Sequence, residues 1–163
     1  MRFLFVFFFA IVCLTSIAQT KYHIKKVNAF YTVRMPGNIP VDDNGRPLRH
    51  YPDTSHVVYI ETFKTAPVWK QAWINGKAFS VSLMNTSSVA IEAGAINENG
   101  KMIKLIPQKG NKIAQLELSA NNEQIKQPKK TRKNEILLRG IFNKQTIYIT
   151  ICCETKLYSP PSV

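Results

Sequence analysis

Val27, Ala29, Tyr31, Val33 and Met35 alternate with Asn28, Phe30, Thr32 and Arg34. This period of two predicts a half-buried strand with one mostly polar face. Tyr22 and Ile24 fall in the opposite phase, which places a bulge or break near Lys25-Lys26. The run from His56 to Phe63 is apolar on both faces through Val57, Val58, Tyr59 and Ile60, as in a central strand. Alternation returns at Phe79, Val81 and Leu83, and again at Val89, Ile91, Ala93 and Ala95. Shorter strands are predicted over 101–106 and 112–118, and two longer ones over 135–142 and 145–154. Nowhere does a helical period emerge.

The punctuation agrees. Asn75-Gly76 and Asn99-Gly100 each separate two apolar runs, and Asn-Gly accepts the positive φ angles of a tight hairpin. Asn143-Lys144 is a weaker turn signal before the last run. The fold class is therefore all-β, a single antiparallel β-sandwich of about eight or nine strands. Immunoglobulin-like topology is compatible with it, although the Cys and Trp spacing of true immunoglobulin domains is absent.

Two segments break the pattern. Residues 36–55 carry four prolines (Pro36, Pro40, Pro47, Pro52). Loops of this length are uncommon in compact domains and are often functional. Residues 119–133 are polar and end in a basic cluster of Lys126, Lys129, Lys130, Arg132 and Lys133. No internal repeat or second domain is evident.

The start of the chain has another character. Arg2 precedes a 12-residue apolar run from Phe3 to Leu14, and Ser16 and Ala18 stand at −3 and −1 of a cut before Gln19. This is the layout of a cleaved secretory signal. A retained anchor would need about 20 apolar residues. A lipid attached at Cys13 would require that cysteine at the end of the run, not inside it. The expected organisation is a signal peptide over 1–18, a domain over 19–158 and a frayed tail over 159–163. The mature chain would be secreted or periplasmic, with no transmembrane anchor after cleavage.

Charge narrows the partners. The 163-residue chain has 22 Lys and Arg against 10 Asp and Glu. Cleavage removes only Arg2 from the basic set, leaving a net +11. A charge of that size attracts polyanions but does not specify a fold. The basic cluster lacks interleaved aromatics, and export argues against an intracellular nucleic acid. The expected partner is a polyanion, glycan or protein outside the cytoplasm.

The leading functional expectation is a non-catalytic binding module that uses the 36–55 loop and the basic surface. Its candidate ligand-binding residues are Arg46, Arg49, His50, Tyr51, Trp69, Trp73, Lys129, Lys130 and Arg132. Tyrosine and tryptophan can stack on sugar rings or anchor a partner when exposed, and pack in a core otherwise. Loops on a rigid scaffold commonly carry recognition. An alternative is a small metal-dependent hydrolase using His50, Asp53 and His56, because two imidazoles and a carboxylate can ligate zinc. Their spacing matches no established signature. A third reading is a structural subunit that pairs through a strand edge.

Other chemistry is poorly supported. Setting Gly45 at position six of a calcium loop puts Pro40 at one and Tyr51 at twelve, and setting Gly100 there puts Ala95 and Ile106, so neither fits and Asp42-Asp43-Asn44-Gly45 reads as turn chemistry. No G-x-S-x-G occurs. Glu61 and Glu92 fall in strands and could form a carboxylate pair only if the fold placed them so. Cys152 and Cys153 are adjacent, without the C-x-x-C spacing of a redox centre. Within a strand, Cys153 would continue the apolar series Ile147, Ile149 and Ile151. No cofactor is implied.

Overall fold

The computed structural model describes residues 22–34, 41–46, 53–63, 65–96, 100–121, 123 and 125–159. The leader, Arg49, His50, Tyr51, Asn99 and the last four residues lie outside them. Among the described residues there are ten strands: β1 (Ile24–Arg34), β2 (Asp53–Phe63), β3 (Val68–Ile74), β4 (Lys77–Ser87), β5 (Ile91–Ala95), β6 (Met102–Leu105), β7 (Asn111–Ala120), β8 (Ile136–Phe142), β9 (Gln145–Ile151) and β10 (Thr155–Leu157). No helix occurs among the described residues, so the all-β expectation holds.

The hydrogen bonding collects eight strands into one sheet, where the hydropathy pattern led us to expect two packed sheets. The order is β10-β1-β2-β7-β4-β3-β8-β9, and β5-β6 form a separate two-stranded ribbon. All pairings are antiparallel except β1 with β10.

The large sheet must curl. Laid flat, its outermost strands would lie about 34 Å apart, at ~4.8 Å per neighbour. Yet β9 and β10 are those outermost strands, and only residues 152–154 join them. The four-residue step from Ile151 to Thr155 reaches at most about 14 Å. The concave face carries one continuous cluster running from Ala29 of β1 through Val58, Leu116, Ala72 and Leu138 to Ile149 of β9. Alternation along each strand supplies it: Val58 and Ile60 face inward, whereas Val57 and Tyr59 belong to a second cluster on the opposite face.

That second cluster explains the ribbon. Phe30, Tyr59 and Ile113 on the convex face are covered by Ile91 and Ala93 of β5 and by Ile103 and Leu105 of β6. Gly94 sits at φ 138°, a conformation that strains an L side chain, and a Cβ there would press on Cδ1 of Leu157 of β10 at 2.9 Å. A third cluster of Trp73, Ala78 and Leu137 sits on the convex face near β3, β4 and β8, with Ile125 packed on it.

Local sequence signals coincide with the observed turns and bulge. The register shift in β1 falls between Ile24 and Lys26. Asn75 and Gly76 both have positive φ, as do Asn143 and Lys144. Asp42 Oδ1 accepts from the backbone N–H groups of Asn44 and Arg46 at 2.9 and 2.8 Å, the turn chemistry expected of that segment. Two boundaries need correction: Asp53, Thr54 and Ser55, expected in the 36–55 loop, already pair with β1 at the start of β2. The last long strand stops at Ile151, not Glu154, and the chain crosses to β1 instead. Cys152 and Cys153 therefore lie on that crossing, both free and exposed, and Cys153 does not extend the buried isoleucine series.

Candidate functional site

Residues 121–135 connect β7 to β8 across one end of the sheet. Polar and basic residues alone would leave such a segment loose, but three contacts tie it to the sheet and two more brace it internally. The indole N–H of Trp73 donates to the carbonyl of Ile125 at 3.0 Å. Asn121 N–H donates to Ala78 O at 3.1 Å. Gln127 Nε2 donates to Thr131 Oγ1 at 3.0 Å. Arg132 N–H donates to Glu135 Oε2 at 2.7 Å, and Asn134 N–H to Asn75 Oδ1 at 2.9 Å. The last bond joins the segment to the β3–β4 hairpin turn.

Between this segment and that hairpin lies an open cleft of about 560 Å³, with Lys77, Phe79, Glu123, Lys126 and Gln127 in its walls. Lys129, Lys130, Arg132 and Lys133 follow on the same segment, all exposed. None of these cations forms an ion pair with a described carboxylate. The local charge is therefore displayed and not neutralised. At one end of the fold, a pinned basic segment and a cleft occur together.

The same end holds a second feature. His56 of β2 and Glu154 of the β9–β10 crossing approach at 2.7 Å through Nδ1 and Oε1. They border a cavity of about 350 Å³ with Tyr31, Thr54, Asn75, Asn134 and Cys153. The His56 ring also meets Phe79 edge-on, with centroids 5.4 Å apart. Asn75 and Asn134 thus line this cavity and tie down the basic segment as well.

The residues singled out from sequence are distributed unevenly. Lys129, Lys130 and Arg132 share the pinned segment, while Arg46 is exposed on the Asp42 turn. Arg49, His50 and Tyr51 fall outside the described residues. Trp69 and Trp73 are 7% and 1% exposed, on opposite faces of β3, so neither offers a stacking platform. Asp53 is exposed, and its three-residue separation from His56 along a strand puts the two on opposite faces. Among the described residues, no three His, Cys, Asp or Glu side chains are grouped to hold a metal.

Glu61 and Glu92 have separate occupations. Glu61 is buried and accepts from Gln108 N–H and from Asn111 Nδ2, which holds the turn before β7. Glu92 pairs with Lys104 across the exposed ribbon at 3.2 Å.

Sequence reasoning missed Lys77 and the partnership of His56 with Glu154. Nothing local marks either: His56 and Glu154 are 98 residues apart, and Lys77 gains meaning only once its hairpin faces the 121–135 segment. Compared with known proteins, the chain matches no family model, no curated protein and no solved structure.

Proposed function

We propose that this protein is an exported, non-catalytic binding module that recognises a polyanionic envelope component, with an acidic polysaccharide as its ligand class. Export rests on the layout of residues 1–18. The observation that supports the anionic ligand is the pinned basic segment beside the 560 Å³ cleft, where Lys77 and Lys126 flank the opening and Lys129, Lys130 and Arg132 continue the positive surface. A segment held by Trp73 and Asn75 loses little conformational freedom on binding, so more of the electrostatic attraction appears as affinity. The ribbon stacked on β1, β2 and β7 is the two-layered, sandwich-like part of this scaffold; the curled sheet carries the cleft.

Titration with a heparin-like polysaccharide across a salt series tests this. Binding should weaken steeply with salt. The triple variant Lys129→Gln, Lys130→Gln, Arg132→Gln should lower affinity and reduce the slope of log K against log salt by about 2–3, at roughly one unit per lost contact. Unchanged affinity and slope in the folded triple variant would remove the basic segment from any role in binding.

A further inference from the structure

The opposite end of the sheet holds a cavity of different chemistry. β3 and β4 pair from Ile74↔Lys77 only as far as Gln71↔Ser80. Gln71 Nε2 closes that ladder by donating to Phe79 O at 2.7 Å. Beyond it the strands part. β3 follows β8, with a register shift between Trp69 and Gln71, and β4 follows β7, with a shift between Leu83 and Asn85. Each shift adds a bend on its own strand, and the two strands fork.

A cavity of about 240 Å³ occupies the fork. Leu116 and Ala114 of β7 form its floor, Trp69 one wall, and Pro67, Val68 and Leu83 the mouth. Its lining is largely apolar, and it exceeds the engineered apolar cavity of ~150 Å³ that takes up benzene. The mouth is apolar: Val68 is 56% exposed and Leu83 63%. Apolar side chains around an apolar cavity are a recognised mark of a ligand site.

One charged side chain borders the cavity. Lys112 stands at the rim, exposed, on the same face of β7 as Ala114 and Leu116.

We propose that the β3–β4 fork binds a free single-chain fatty carboxylate, with its tail in the cavity and its carboxylate at Lys112. The size fits one chain and not two: at ~30 Å³ for a group the size of a water, the cavity takes about eight such groups. The site is independent of the basic cleft, which lies at the other end of β4 and β7.

Calorimetric titration of the purified full chain with hexanoate, octanoate, decanoate and dodecanoate, kept below micelle formation, tests the proposal. Affinity should rise about four-fold per added methylene while the cavity fills, then level off near decanoate. Leu83→Trp places a bulky ring at an exposed position in the mouth and should abolish binding without affecting folding, checked by circular dichroism. Lys112→Gln should erase the preference for decanoate over decanol and leave decanol binding unchanged. Affinity that ignores chain length, or that survives in Leu83→Trp, would overturn the site. Equal binding of decanol and decanoate to the unaltered protein would overturn the carboxylate assignment.

Discussion

His56 Nδ1 lies 2.7 Å from Glu154 Oε1, and the two side chains are 12% and 7% exposed. The contact ties the crossing that joins the outermost strands to a central strand of the sheet. Removing the acceptor leaves a partly buried ring donor unpaired at that crossing, which costs about 1–3 kcal/mol. Glu154→Leu should therefore lower unfolding stability by that amount. Glu154→Gln keeps an acceptor oxygen and should cost clearly less. Urea denaturation of the three proteins decides the matter; if the Leu variant is as stable as the original, the crossing is held by β10 pairing alone.

Tyr59 offers a pH-dependent test of the convex cluster. It packs edge-on against Phe30, with centroids 5.7 Å apart, beneath the β5–β6 ribbon. Burial disfavours the phenolate and raises its pKa above the ordinary 10.0. In the unfolded chain Tyr59 ionises near pH 10, while in the folded protein it stays neutral to higher pH. Between those points the folded state holds the extra proton, so stability falls as pH rises. Its contribution is complete below about pH 10 and is lost through the folded pKa. Stability measured from pH 8 to 11 should decline above pH 10, and Tyr59→Phe should decline less steeply. Parallel curves for the two proteins would show that Tyr59 is not the responsible group.

Gly140 of β8 stands opposite Trp69 of β3. A Cβ at Gly140 would lie 2.7 Å from Cε3 of the Trp69 ring. The indole thus lies over the bare backbone of β8, leaning away from β4 and leaving the fork open. Gly140→Ala must push the ring aside, an overpacking that costs about 1–3 kcal/mol. It should also change Trp69 fluorescence and weaken decanoate binding, because the displaced ring moves toward the cavity. A variant of unaltered stability and spectrum would mean that the ring has room to yield.

Most strands and their turns were legible because they depend on neighbours in sequence: alternation placed β1, β4 and β5, a run apolar on both faces placed β2, and Asn75-Gly76 and Asn143-Lys144 announced their hairpins. The arrangement of those strands was not legible. β7 lies between β2 and β4, a pairing chosen by matching buried faces and not by any local signal. Three-residue β10 is too short to have a pattern, yet its pairing with β1 marks the curl. The basic segment was visible as composition. Its fixed position was not, because that comes from Trp73, 52 residues away from its acceptor at Ile125. The fork was least accessible, since it arises where strands stop pairing.

Trp73 joins fold and proposed function most directly. Its ring fills the convex cluster with Ala78 and Leu137, and its N–H holds Ile125 at the start of the basic stretch. Trp73→Phe retains an aromatic ring but removes the donor and part of the packing volume. Stability should fall by about 1–3 kcal/mol, from the lost bond and the space left behind. The more informative readout is local. Lys126, Lys129, Lys130, Arg132 and Lys133 are all trypsin sites, and a released segment should be cut there faster under conditions where the rest of the fold is intact. Polysaccharide affinity should fall at the same time, although every cation is still present, because the segment must be ordered again on binding. If cleavage accelerates and affinity stays constant, the cations act as a diffuse charge and the cleft plays no part in recognition.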